Sequence, residues 1–152
     1  IGFRYPRGEG LGLDMPEAGT LLEIGKGRVI QEGNDIALLS YGTRLNECQK
    51  AALVLEERGH SVTIADARFA KPLDEDLVRT LAKNHHTLIT IEEGSIGGFS
   101  SYVLECLNRN GLMDGNLKVR TMHLPDSFLD QDSPATQYKT AQLLAEDILE
   151  KA

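Results

Sequence analysis

The segment Asp35-Ile-Ala-Leu-Leu-Ser40 decides the fold, because it is a continuous apolar run of strand length. In the residues that follow, 44–58, apolar side chains recur three and four positions apart, which is the spacing of one buried helix face. Gly59 suits the left-handed cap that ends a helix, and a second strand-length run follows at Ser61-Val-Thr-Ile-Ala-Asp66. This alternation predicts a βαβ unit with a right-handed crossover.

The same alternation continues to the end of the chain. Asp74 is placed to cap a helix, 87–91 reads as a third strand, and a helix that stops near Gly111 follows a glycine loop. Residues 117–124 read as the fourth strand. We expect one last helix from Ser133-Pro134 to about Lys151, with its inner side formed by Leu143, Leu144, Ile148 and Leu149. Strands that are apolar on both faces predict a three-layer α/β sandwich around a mostly parallel sheet of four or five strands.

The first 34 residues have a different pattern. Ile1 to Tyr5 alternates like a strand that Pro6 stops, and a turn-rich stretch with several glycines follows. A strand followed by so long a loop is unusual inside a compact domain. We therefore expect residues 1–20 to be the tail of a preceding domain. Residues 21–34 then form a connector with room for one or two short strands, and 35–152 form the domain itself.

Composition excludes several classes of protein. The chain has 152 residues, 41% hydrophobic and 26% charged, which is typical of one globular domain rather than of a disordered segment. No apolar run is long enough to span a membrane, and a net charge of −7 without a basic cluster argues against nucleic acid. Cys48 and Cys106 lie far apart in predicted helices, so both are expected to be buried thiols in a reducing, cytoplasmic compartment.

The most suggestive local motif is Ile91-Glu-Glu-Gly-Ser-Ile-Gly-Gly-Phe99, where a strand runs through glycines into a helix. That shape is typical of a turn that cradles phosphate, and it raises the alternative of a stand-alone regulatory module that binds nucleotides. The spacing is not that of a nucleotide motif, however, and Glu92 and Glu93 stand where the phosphate would lie. We favour a tight turn whose carboxylates interact with the helix N-terminus or with a neighbouring domain.

Other side chains are weaker candidates for chemistry. His85-His86 lies in a predicted loop without a third ligand, which favours a solvated pair over a metal site. Arg7 and Arg68 are predicted at the carboxyl ends of strands, where α/β proteins bind ligands, and an arginine fork matches phosphate oxygens. From the residues alone, a surface or interdomain ion pair is the favoured interpretation of each arginine. No catalytic constellation is visible.

Several segments together resemble one family, the C-terminal part of the 1-deoxy-D-xylulose-5-phosphate synthases, which are transketolase-like enzymes. The resemblance covers essentially the whole chain, and the segments occur in the same order. They are Arg4-Tyr-Pro-Arg-Gly8, Ile24-Gly-Lys-Gly27, Ser40-Tyr-Gly-Thr43, Asp66-Ala-Arg-Phe-Ala-Lys-Pro-Leu-Asp74, Ile91-Glu-Glu-Gly-Ser-Ile-Gly-Gly98 and Leu124-Pro-Asp126.

This resemblance implies a transketolase C-terminal-type domain that follows a pyrimidine-binding domain in a homodimeric, cytoplasmic enzyme. The reaction joins pyruvate to glyceraldehyde 3-phosphate with loss of CO₂ and supplies isoprenoid and thiamine precursors. Thiamine diphosphate and Mg²⁺ carry the chemistry and are bound by other domains, so the isolated chain is expected to be inactive. Another transketolase-like enzyme, or the β subunit of a 2-oxo-acid dehydrogenase, is the alternative.

The resemblance assigns one substrate contact to this chain. Arg7 matches the arginine that grips the phosphate of the aldehyde substrate, and Arg4 is a candidate to support it. No residue of this chain matches a catalytic residue or a metal ligand. Arg68, Glu92 and Glu93 are left as structural or interdomain residues.

Overall fold

The structure is a computed structural model of the chain. It describes residues 16–152 together with Gly2, Tyr5, Gly10, Gly12 and Asp14. The strand expected over residues 1–5 lies largely outside the described residues, as do Arg4 and Arg7. Within the described part, no helix is both long and apolar enough to cross a membrane.

Among the described residues, five strands form a single sheet in the order β1-β3-β2-β4-β5. Strands β2 to β5 are parallel, and only the edge strand β1 runs antiparallel, beside β3. The elements in chain order are β1 (Arg28–Gln31), β2 (Ile36–Tyr41), α1 (Leu45–Glu57), β3 (Val62–Asp66), α2 (Glu75–Asn84), β4 (Thr87–Ser95), α3 (Phe99–Arg109), β5 (Lys118–Leu124), α4 (Pro134–Thr140) and α5 (Ala145–Lys151).

Alternate residues of the parallel strands β2 to β5 point into two separate cores, one on each face of the sheet. Leu38 and Ile89 pack with Cys48 of α1 and Ile148 of α5 on one face. The neighbouring strand residues pack with α2 and α3 on the other face, where Cys106 is fully buried. The three-layer sandwich with its mostly parallel sheet and the buried state of both thiols are therefore confirmed.

The segment before β2 contributes to the sheet through β1 and through its glycines. The amide of Gly27 donates to the Asp74 carboxylate, and a Cβ at Gly27 would lie 2.6 Å from Leu77 Cδ2 and 2.9 Å from the Asp66 carbonyl oxygen. The amide of Gly33 donates to Thr63 Oγ1 of β3 at 2.8 Å. One or two short strands were expected in this segment, and among the described residues it contains one, β1.

The single helix expected from Ser133 to Lys151 is wrong, because two short helices, α4 and α5, occupy this stretch. Gln142 between them has a left-handed backbone with φ 56°. The amide groups that begin α5 bind carboxylates: Leu144 donates to Asp147 at 2.8 Å, and Ala145 donates to Glu47 of α1 at 3.0 Å. The break brings Leu143 and Ile148 together into the core, and neither side chain is exposed.

Candidate functional site

A cleft of about 1100 Å³ lies at the carboxyl edge of the four parallel strands. Each of these strands contributes lining residues at or near its end, namely Tyr41 of β2, Asp66 of β3, Glu93 of β4 and Leu124 of β5. Open α/β sheets bind ligands at the carboxyl edge, where each strand is followed by a loop. The cleft is therefore the candidate functional site of the described residues.

The topological switch point of the sheet lies between β2 and β4. These strands are neighbours, but α1 after β2 packs on one face and α3 after β4 packs on the other. A cluster of Thr43, Arg44, Glu93 and Tyr138, called the Arg44 cluster below, occupies this position. Arg44 Nε donates to Glu93 Oε1 at 2.9 Å, and Thr43 donates to the same oxygen. The negative charge of Glu93 at the switch point is thus neutralised by Arg44.

Tyr138 joins α4 to this cluster. Arg44 Cζ lies 3.6 Å from the centroid of the Tyr138 ring, so the guanidinium stacks over the ring in a cation–π contact. Burial raises the pKa of the Tyr138 phenol, and the Glu93 charge raises it further. The phenol therefore stays neutral at physiological pH, and the contact of its ring with Arg44 joins α4 to the cleft.

Glu92 has a structural role at the opposite face of the sheet. Its side chain is buried, and its two carboxylate oxygens accept from the amides of Phe99 and Ser100 at 3.0 and 2.8 Å. Ser100 Oγ donates to it as well. The predicted contact between a glutamate of the glycine turn and the helix N-terminus is confirmed. Since Glu92 already occupies the N-terminus of α3, the geometry gives no support to a nucleotide phosphate at this turn.

Arg68 lies in the loop after β3 and lines the cleft, as its position at a strand end predicted. Its Nε is 3.9 Å from Asp66 Oδ2, while Arg28 Nε approaches the same oxygen to 3.1 Å. Lys71 of the same loop also lines the cleft, and no ion pair involving it is found among the described residues. One carboxylate is therefore shared by two arginines, beside a lysine that pairs with no described carboxylate.

The expected substrate contact, Arg7, lies outside the described residues, and so does Arg4. Tyr5, which stands between them in the sequence, is described and contributes to the lining of the cleft. The assignment of Arg7 to a substrate phosphate stays a prediction.

Of the two histidines expected to form a solvated loop pair, His86 is exposed but His85 is not. His85 is half-buried, and its ring nitrogens lie 2.8 Å from the Leu81 carbonyl oxygen and 2.7 Å from Thr63 Oγ1. Across the described ranges, no three His, Cys, Asp or Glu side chains are grouped so that they could hold a metal ion. The carboxylates of the cleft are already bound by arginines, so these residues do not fit a diphosphate–Mg²⁺ group, and no step through such a group is assigned to them.

Sequence reasoning did not single out Arg44 or Tyr138. Arg44 had a local signal, because it follows a strand end and the turn glycine Gly42, whose φ is 89°. Tyr138 had none, since its partners lie more than forty positions earlier in the chain and the helix that carries it was expected to be longer.

The comparisons with known proteins agree with this architecture. Residues 25–148 match the family described as "Transketolase, C-terminal domain". A solved structure titled "Split gene transketolase, inactive beta4 tetramer" is similar with a TM-score of 0.78 and 27% sequence identity. That match covers 90% of this chain and 45% of the other, so this chain spans less than half the length of the transketolase. The family match includes every strand of the sheet, and the chain belongs to the transketolase C-terminal domain family.

Proposed function

We propose that this chain is the C-terminal domain of a thiamine-diphosphate-dependent transferase of the 1-deoxy-D-xylulose-5-phosphate synthase type. In this proposal the complete enzyme is a cytoplasmic homodimer that condenses pyruvate with glyceraldehyde 3-phosphate and releases CO₂. Thiamine diphosphate with Mg²⁺ supplies the carbanion chemistry from other domains. The role of this chain is to complete the subunit and to bring Arg7 to the substrate.

The observation that carries the proposal is the segment Arg4-Tyr-Pro-Arg-Gly8, which precedes the transketolase C-terminal domain matched from residue 25. The family match supports the transketolase-like class, and the motif supports the particular substrate. An arginine grips a phosphate through a planar fork of donors, which makes Arg7 suited to the aldehyde phosphate. The five other segments of the resemblance lie within the described part and support the same assignment.

Replacement of Arg7 in the complete enzyme tests the proposal. The Arg7→Ala variant should raise KM for glyceraldehyde 3-phosphate by roughly 10- to 100-fold, because a charge-assisted contact of about 1.5–3 kcal/mol is lost. The KM for pyruvate should stay near the wild-type value. Arg58→Ala is the matched control, since Arg58 is an exposed arginine at the end of α1. Unchanged KM and kcat in Arg7→Ala would rule out this role.

A second candidate, a transketolase in the strict sense, is favoured by the structural similarity to the split-gene transketolase. The two candidates differ in whether carbon dioxide is released. A synthase of the proposed type releases CO₂ from pyruvate, whereas ketol transfer between sugar phosphates conserves all carbon atoms. Incubating the complete enzyme with the aldehyde and either carboxyl-labelled pyruvate or a ketose phosphate separates them: labelled CO₂ from pyruvate supports the synthase, and its absence alongside ketol transfer from the ketose phosphate supports the transketolase.

A further inference from the structure

We propose that the carboxyl edge of the sheet is a docking surface for the domain that precedes this one in the complete enzyme, and that Phe128, in the loop after β5, is the central contact. The surface that receives Phe128 is an apolar pocket with a basic rim. This inference rests on the proposed function, in which a further domain lies ahead of this chain, and it assigns to the edge a partner that the proposed reaction does not name.

Exposed apolar side chains lie along the whole of this edge. Phe128 is fully exposed, and Ile96 in the turn after β4 is 65% exposed. On the other side of the sheet, Leu22 and Ile24 are 52% and 62% exposed and line the cleft. Large apolar side chains that are grouped in this way and left in water are typical of a surface that another domain covers.

The loop that carries Phe128 is held in place by its neighbours. The next residue, Leu129, packs against the core on the α1 side of the sheet. The Asp130 carbonyl oxygen accepts a hydrogen bond from Gln137 Nε2 of α4 at 2.9 Å. Phe128 is therefore an aromatic side chain exposed on a fixed backbone. A fixed backbone keeps the entropy cost of docking low, and aromatic residues of this kind dominate many interfaces.

The apolar wall on the other side of the cleft cannot cover Phe128. Leu22 and Ile24 precede β1, and β1 and β5 are separated by four strand spacings, or about 19 Å. The Cα atom of Phe128 is about 3.8 Å from that of the packed Leu129, which limits how far the side chain can move. The surface that covers Phe128 therefore comes from outside the described residues of this chain.

Three acidic residues lie close to Phe128 in the sequence and indicate the charge of its partner. Asp126, Asp130 and Asp132 are all exposed, and no ion pair involving them is found among the described residues. Surfaces that associate carry complementary charges, because opposite charges steer the encounter and like charges oppose it. The partner surface is therefore basic around the apolar pocket.

The course of the chain favours the preceding domain over a free partner or a second copy. Gly2 and Tyr5 line the same cleft as Leu129. A domain that ends within residues 1–20, as the sequence predicts, is therefore tethered at the carboxyl edge. A short tether gives a covalently linked partner an effective concentration of about 1 mM, which a second copy in dilute solution does not reach.

Hydroxyl-radical footprinting, read by peptide mass spectrometry, tests the contact in the unaltered protein. Phe128 should be modified at least about 10-fold more slowly in the complete enzyme than in the 152-residue chain, because the docked ring is shielded from solvent. Leu53 and Met113 serve as internal controls, since both are exposed and lie toward the opposite edge of the sheet. Their rates should be the same in the two proteins.

The variant Phe128→Ser separates docking from folding. In the 152-residue chain it should leave the melting temperature unchanged, because Phe128 is fully exposed there. In the complete enzyme it should lower the melting temperature by at least about 2 °C, because the docked ring is lost. The matched control is Leu53→Ser, which removes an exposed apolar side chain from α1 and should shift the two proteins equally.

Photo-crosslinking from p-benzoylphenylalanine in place of Phe128 identifies the partner. We expect a crosslinked peptide from the preceding domain of the complete enzyme. A crosslink to a peptide from residues 21–152 would assign the surface to a second copy and overturn the proposal. Equal footprinting of Phe128 in the two proteins, or equal shifts caused by Phe128→Ser, would overturn it as well. None of these measurements uses a substrate, so a failure to release CO₂ from pyruvate would contradict the proposed reaction and leave this contact in place.

Discussion

Two adjacent glutamates of β4 have different roles because consecutive strand residues face opposite sides of the sheet. Glu92 points to the α3 side and caps that helix, whereas Glu93 reaches Arg44 at the switch point. The role of Glu92 could be predicted, since the strand, the turn and the helix that it caps are contiguous in the sequence. The role of Glu93 could not, because its partners come from a different strand end and from α4.

At the residue scale, the cap of α3 can be tested by Glu92→Gln. This change preserves the size of the side chain but removes the charge that binds the amides of Phe99 and Ser100. We expect the free energy of unfolding to fall by about 1.5–3 kcal/mol, measured by urea denaturation with an unchanged slope. Glu105→Gln on the exposed side of α3 should change it by less than about 0.5 kcal/mol. Equal effects of the two changes would contradict this role.

Cys48 gives a second prediction at this scale. Burial raises the pKa of its thiol from 9.0 to about 12, so the folded state favours the neutral form. The buried neutral thiol therefore contributes to the free energy of unfolding. This contribution is fully present below pH 9, where the unfolded chain also keeps the thiol protonated, and it is lost as the pH rises from 9 to about 12.

In a Cys106→Ala background, we expect a thiol reagent at pH 8 to label Cys48 only as fast as the chain unfolds. The loss of stability above pH 9 should be smaller in Cys48→Ala, by up to about 4 kcal/mol across that window. Rapid labelling of the folded chain would show that the thiol is accessible.

At the element scale, the helices and parallel strands could be predicted because each has a local pattern, such as the apolar run 36–39 or the cap of α2 by Asp74. The division of the last helix could not be predicted in this way. The apolar residues of 134–151 are compatible with one continuous helix, and the Glu47 carboxylate that accepts the Ala145 amide at the break belongs to α1, which is remote in sequence.

The same break provides a prediction at the element scale. Gln142 has φ 56°, so Gln142→Gly should raise the free energy of unfolding by about 0.5–1 kcal/mol through relief of the left-handed conformation. Lys139→Gly, three residues earlier inside α4, should lower it by about 1 kcal/mol. A thermal or urea melt distinguishes the two signs. If both glycines destabilise the chain equally, Gln142 does not carry the strain that its backbone indicates.

At the scale of the whole molecule, the carboxyl edge could be predicted as the ligand edge, but the strand order could not. Local patterns do not specify which strands are neighbours, and β1 pairs with β3 although β2 lies between them in the sequence. The switch point between β2 and β4 follows from that order. The sequence could therefore predict at which edge of the sheet the cleft lies. It could not predict which side chains meet there, because that depends on the strand order.

Deletions test how the chain is divided, with the boundary between connector and domain predicted at residue 35. Removing residues 1–20 should change the free energy of unfolding by less than about 0.5 kcal/mol, because both cores and all five strands remain. Removing residues 1–34 should lower it by at least about 2 kcal/mol. That deletion takes away β1, the Gly27–Asp74 hydrogen bond and the Gly33–Thr63 hydrogen bond.

Urea denaturation followed by far-ultraviolet circular dichroism and by hydrogen exchange measures both deletions. Loss of protection in β3 is expected only for the longer deletion, since β3 then becomes an edge strand. Such a result moves the start of the domain to the beginning of the 21–34 segment, because a free connector contributes no stability. Equal stability of the two truncated chains would instead place the boundary at residue 35. It would also show that the β1–β3 pairing does not contribute to the free energy of unfolding.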